Sequence, residues 1–130
     1  MTEDRKQEVM NYNSLLSKSM TLEFVADSAL FADLDAAYST MDEFVEIANT
    51  LTGSIIQIEG NINSSNTTDS GKALSLERAN AVAKYFVACG IDQNRILTVG
   101  NGNTKMKVDP TSADASVNRR TDVFFKVIEE

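Results

Sequence analysis

The chain has 130 residues, 42% of them apolar and 24% charged, with a net charge of −7 and no histidine. That length suits one domain around one core, and the acidic surplus argues against nucleic-acid partners and against docking on an anionic membrane surface. Without histidine the chain lacks the commonest general base and metal ligand, so neither enzymatic activity nor a cofactor or metal is expected.

The opening segment, MTEDRKQEVMNYNS, is too polar for a secretory signal, and no apolar run is long enough to insert in a membrane. This leaves a cytoplasmic protein or a piece of a longer exported chain. Residues 3–17 predict a helix with a thin stripe of Val9, Tyr12, Leu15 and Leu16. We read residues 1–18 as a lead-in from an upstream domain and 19–130 as the domain proper.

MTLEF (20–24) alternates with period two and predicts a strand presenting Met20, Leu22 and Phe24 on one face. The next segment, 33–51, predicts a helix with a buried stripe of Leu34, Tyr38, Met41, Val45, Ala48 and Leu51. Asp33 and Asp35 suit its start and Gly53 its end. SIIQIEG follows as a strand, with Ile56 and Ile58 on one face and Ile55 on the other.

A second long helix is expected from Ser70 to Cys89, with a stripe of Leu76, Ala79, Ala83 and Phe86, stopped by Gly90. The lone Cys89 reads as a small core residue. RILTVGNG predicts a strand breaking at Gly100, KMKVDPTSADASV a polar connection with a short helical turn, and RRTDVFFKVI a closing strand. The order β-α-β-α-β-β, with the extra N-terminal helix, gives an α/β two-layer sandwich: a small mixed sheet covered by two long helices.

Five short motifs stand in one order: LEFVADSALF with Phe-x-x-x-Ser, IQIEG, the Leu-Ser-x-x-Arg-Ala of LSLERANAVAKYFVACGI, the Arg-Ile-x-x-x-Gly-x-Gly of NRILTVGNG, and NRRTDVFF. Together, over residues 20–127, they resemble the OmpA-like family of cell-wall-binding domains, also found in Pal lipoproteins and flagellar stator proteins. The ending is similar to a subgroup in which this domain follows an ABC-transporter-type solute-binding domain. That placement would explain the lead-in and the missing signal.

The resemblance implies a cell-envelope, extracytoplasmic protein whose partner is peptidoglycan, held non-catalytically through the diaminopimelate of its stem peptide. That ligand end carries an ammonium and a carboxylate on one carbon, so its reader needs an acid and a cation. Arg78 matches the family's guanidinium, whose planar fork meets a carboxylate with two parallel hydrogen bonds. Leu74 lies four residues before it on the same helix flank. Gly60 matches the glycine of the family's Gly-x-x-Asp, but the acid position falls on Asn63, after Ile62.

A charged hydrogen bond contributes about 1.5–3 kcal/mol against about 1 for a neutral one, so this exchange weakens ammonium recognition by roughly tenfold or more. Asp69, six residues along the same loop, is the candidate to fold back and compensate. Phe24 and Asp27 match positions lining the family pocket, although core packing would equally explain Phe24. Asn118, Arg119 and Arg120 match its Asn-Arg-Arg, and the match favours Arg119 as the one facing the ligand. Arg78 could instead be a solvated helix residue or pair with Glu77 or Asp69. The alternative reading is a scaffold that has lost its ligand and serves as a protein-interaction or spacer domain.

Overall fold

The computed structural model describes residues 16–63 and 69–126, excluding the side chains of Leu16, Asp69, Ala115 and Ser116. Its elements are β1 (Leu16–Met20), α1 (Leu34–Thr50), β2 (Ile55–Gly60), α2 (Asp69–Ala88), β3 (Ile96–Gly100) and β4 (Thr121–Lys126), with single 3-10 turns at Gln93–Arg95 and Ala115–Asn118. The strands form one mixed sheet in the order β1-β4-β2-β3. β4 runs antiparallel to both neighbours, while β2 and β3 are parallel and joined through α2. Two long helices on a small mixed sheet are the expected architecture. No helix among the described residues is long and apolar enough to cross a membrane.

The register decides where function can sit. Thr121 pairs with Met20 on one side and Gly60 on the other, and Gly60 pairs in turn with Gly100. The last residues of β1, β2 and β3 and the first of β4 therefore stand in one row. All the long polar loops leave from that end of the sheet, and α2 begins there.

The core lies between the sheet and the helices. Ile56, Ile58, Val123 and Phe125 meet Met41, Phe44 and Ala48 of α1 and Ala79, Val82 and Phe86 of α2. Ile55 faces the other way and packs with Leu97 and Phe124, as period-two alternation requires. Asp33 caps α1 by accepting from the Ala36 amide, and Gly53 turns the chain at φ +77°. Arg95 closes the same helix end. Its Nη2 donates to the Ala48 and Leu51 carbonyls and its Nε to the Ser54 carbonyl, covering acceptors that a helix terminus leaves open.

Several expectations are corrected. The first strand is Leu16–Met20, not residues 20–24; Leu22 is buried outside the sheet, and Phe24 makes only an isolated bridge with Phe31. The alternation in MTLEF thus reports burial rather than strand pairing. The expected N-terminal helix lies outside the described residues, except for Leu16 and Ser17, which belong to β1.

In α1, Leu34 is 52% exposed and Tyr38 38%, whereas Ala37 and Phe44 are buried. The stripe is rotated towards 37-41-44-45-48, and Tyr38 instead stacks on Tyr85 of α2 at 4.7 Å. In α2, Val82 is fully buried while Leu76 is exposed. Cys89 is also exposed, because the turn at Gly90 sends Ile91 into the core in its place. Finally, β4 starts at Thr121, so Arg119 and Arg120 precede the strand and do not follow its alternation.

Candidate functional site

The site begins with two glycines. A Cβ on Gly60 would stand 2.0 Å from the Ser75 carbonyl oxygen, and one on Gly100 would stand 2.5 Å from that of Lys72. Here α2 lies directly on the strand ends, a close approach that only glycine permits. Ser75, fully buried, locks the contact: its hydroxyl donates to the Lys72 carbonyl and accepts from the Gly102 amide at 2.9 Å.

One turn along α2 is Arg78. Its Nε donates to the Ser28 carbonyl at 2.8 Å, and its guanidinium lies 4.7 Å above the Phe24 ring, which itself stacks on Phe31. Ser28 is presented by a tight turn. Its amide and hydroxyl both donate to the Val25 carbonyl, and its hydroxyl accepts from the Leu30 amide. Burial lowers the Arg78 pKa, Asp27 opposes this and Arg119 adds to it. The guanidinium remains charged at any physiological pH. Its Nη groups make no hydrogen bond to a described residue.

A surface cavity of about 670 Å³ opens beside this guanidinium. It is lined by Asp27, Ile62, Asn63, Leu74, Arg78 and Arg119, together with Ala26, Ser70, Gly71, Ala73 and Glu77. Six of the residues singled out in the sequence thus meet in one place. Size does not distinguish the cavity, since a cleft of about 530 Å³ along α2 and β3 is comparable. The setting of its charges does. Lys84 is the sole charged residue among the described lining of that cleft, and a third cleft of about 540 Å³ carries only the exposed Lys18, Glu43 and Glu46. Here the Arg78 guanidinium is held by Phe24 and the Ser28 carbonyl, with Asp27 and Arg119 beside it.

The remaining residues take other places. Phe24 lies beneath Arg78, outside the cavity lining. Asn118 is fully buried and does not reach the cavity. Its Oδ1 accepts from the Lys107 and Val108 amides, and its Nδ2 donates to the Val108 carbonyl and to Asn63 Oδ1. The family match put Asn118 with the ligand-binding residues; here it stands behind Asn63, outside the cavity lining. Asn63 Nδ2 in turn donates to the Pro110 carbonyl at 3.3 Å. The Asp69 backbone starts α2.

The two adjacent arginines divide. Arg119 is exposed and lines the cavity. Arg120 is 9% exposed, pairs with Asp122 through Nε at 3.0 Å, and donates through Nη2 to the Lys105 carbonyl.

Sequence reading missed what supports these residues. The Ser28 and Pro110 carbonyls are backbone groups and leave no side-chain signal. It also missed a buried polar cluster behind the loops, where Glu59 accepts from Asn101, Lys105 and Gln57. Burial raises the Glu59 pKa, but hydrogen bonds from Asn101, Lys105 and Gln57 outweigh it and hold the carboxyl below its ordinary value. A polar residue in an otherwise apolar strand was the available clue.

Solved structures share this fold. The chain is similar to the periplasmic domain of MotB from Helicobacter pylori, with a TM-score of 0.73 at 19% identity over 87% of this chain and 76% of that one. It is also similar to an outer membrane protein from Borrelia burgdorferi, with a TM-score of 0.69 at 23% identity over 90% and 92%. The peptidoglycan-associated lipoprotein from Burkholderia pseudomallei gives 0.69 at 21% identity over 84% and 90%. At these identities the likeness is one of fold. The sequence itself goes further: the OmpA family model matches residues 24–120, and the chain belongs to that family. Comparison with curated proteins gave no match.

Proposed function

We propose that this domain binds peptidoglycan without catalysis, through the diaminopimelate end of a stem peptide, and so tethers its parent protein to the cell wall in the envelope. The observation that carries this reading is the cavity itself. Arg78 is braced by Phe24 and the Ser28 carbonyl, with Asp27 and Arg119 lining the same space. A zwitterionic amino-acid end needs such opposed charges side by side. Family membership supports it, as does the fold shared with a peptidoglycan-associated lipoprotein. In this reading the parent chain carries an upstream domain of solute-binding type, and this segment makes no insertion into the membrane.

One observation favours the second reading, a scaffold without its ligand: Asn63 is neutral and bonded at both ends of its carboxamide. Sedimentation with purified sacculi separates the two. The wild type is expected to pellet and Arg78→Ala to stay largely in solution. A wild type that never pellets would remove the peptidoglycan reading.

A further inference from the structure

We propose that Asp27, rather than the residue at position 63, supplies the carboxylate that receives the ligand's ammonium group. The proposal rests on the peptidoglycan reading and assigns the half of the ligand that Arg78 cannot recognise.

Asn118 fixes the orientation of Asn63. Two backbone amides point at one end of its carboxamide, so that end is the oxygen and the other is the NH2. The NH2 faces Asn63, which must turn its own oxygen to meet it and present its NH2 to the Pro110 carbonyl. Both ends of Asn63 are thereby committed to holding the connection between β3 and β4. Its NH2 repels an ammonium, and its oxygen offers at most one neutral lone pair.

Asp27 is placed differently. It lies in the turn from Val25 to Ser28 with φ +56°, a left-handed conformation that aspartate and asparagine tolerate better than most residues. The hydrogen bonds that close the turn come from the backbone and from Ser28, not from the Asp27 carboxylate. Its side chain is exposed and lines the cavity. The next residue along, Ser28, holds Arg78 through its carbonyl, so the acid and the guanidinium are fixed as neighbours.

An α-amino acid end requires that juxtaposition, because its two charges share one carbon. Glu77 also lines the cavity, but it adjoins Arg78 on a helix, where consecutive side chains diverge.

Calorimetric titration of the whole domain tests this, with meso-diaminopimelate and with pimelate, which keeps the carboxylates and lacks the ammonium groups. Asp27→Asn suits the left-handed turn and removes only the charge. The wild type is expected to prefer diaminopimelate, and Asp27→Asn to lose tenfold or more of that preference while binding pimelate at least as well. Asn63→Asp is expected to give no comparable gain.

Wild-type preference retained in Asp27→Asn would overturn the assignment alone, as would its loss in Asp69→Asn or Glu77→Gln instead. A wild type that binds neither diaminopimelate nor sacculi overturns the peptidoglycan reading and this one with it.

Discussion

Gly60→Ala tests whether the seating of α2 on the strand ends holds the domain together. The added Cβ would lie 2.0 Å from the Ser75 carbonyl oxygen and 2.9 Å from its carbon. Ordinary contact begins at 3.4 Å, so the helix must retreat by about 1.4 Å. That oxygen belongs to backbone, and no rotamer change can move it aside. Overpacking of this kind costs about 1–3 kcal/mol. The retreat also breaks the buried bond from the Gly102 amide to the Ser75 hydroxyl, worth about 1 kcal/mol more.

The expected loss is therefore about 2–4 kcal/mol, a large share of the roughly 5–15 kcal/mol that stabilises a typical domain. It would appear in urea unfolding as a lower midpoint at unchanged slope, with faster hydrogen exchange at the Gly102 amide. Gly53→Ala is the control: its φ is +77° and nothing lies within 4 Å, so only the backbone penalty of about 1–2 kcal/mol applies, with Gly102 still protected. A Gly60→Ala variant within about 0.5 kcal/mol of wild type, with Gly102 still protected, would show that α2 is not seated on the strand ends in this way.

Two further outcomes follow from the polar clusters. Asn118→Ala strips partners from two amides, a carbonyl and Asn63, which should cost about 2–4 kcal/mol and speed exchange at the Lys107 and Val108 amides. Unchanged exchange there would show that the connection is held by something else. For Glu59, the folded pKa lies below the ordinary 4.5, so its carboxylate stabilises the fold fully above that value. The contribution disappears as pH falls through the depressed folded pKa. Urea midpoints between neutral pH and pH 3 should decline below about 4.5, and Glu59→Gln should flatten that decline while lowering stability at neutral pH.

Much of this was legible because some signals are strong locally. Ile55, Ile56 and Ile58 alternate about one strand, and the structure divides them between the two faces of the sheet. Asp33 and Gly53 bounded α1 correctly because cap chemistry depends on a few neighbouring residues. β1 was misplaced because LSKSM stands at the edge of the sheet among the described residues, paired there with β4 alone and carrying Lys18 and two serines, so it shows little apolar pattern. MTLEF shows that pattern because Leu22 is buried just beyond the sheet. Residue type drew attention to Arg78, Asn63 and Asn118, and the register at the sheet end explains why they converge. Their individual roles depend on the Ser28, Pro110 and Val108 carbonyls, whose positions come from distant turns.

The Pro110 carbonyl also explains why an acid at position 63 would disturb the contacts that Asn63 makes in this chain. An aspartate there could still accept from Asn118, but its second oxygen would face the Pro110 carbonyl, and two acceptors cannot bond each other. A carboxylate turned to the cavity instead would leave the Pro110 carbonyl without this donor and loosen the connection between β3 and β4. Bracing that connection and presenting a charge to the ligand are competing demands on one side chain. The asparagine satisfies the first. Under the assignment proposed above, the second falls to Asp27, whose carboxylate its own turn does not use and which stands beside the bond that fixes Arg78.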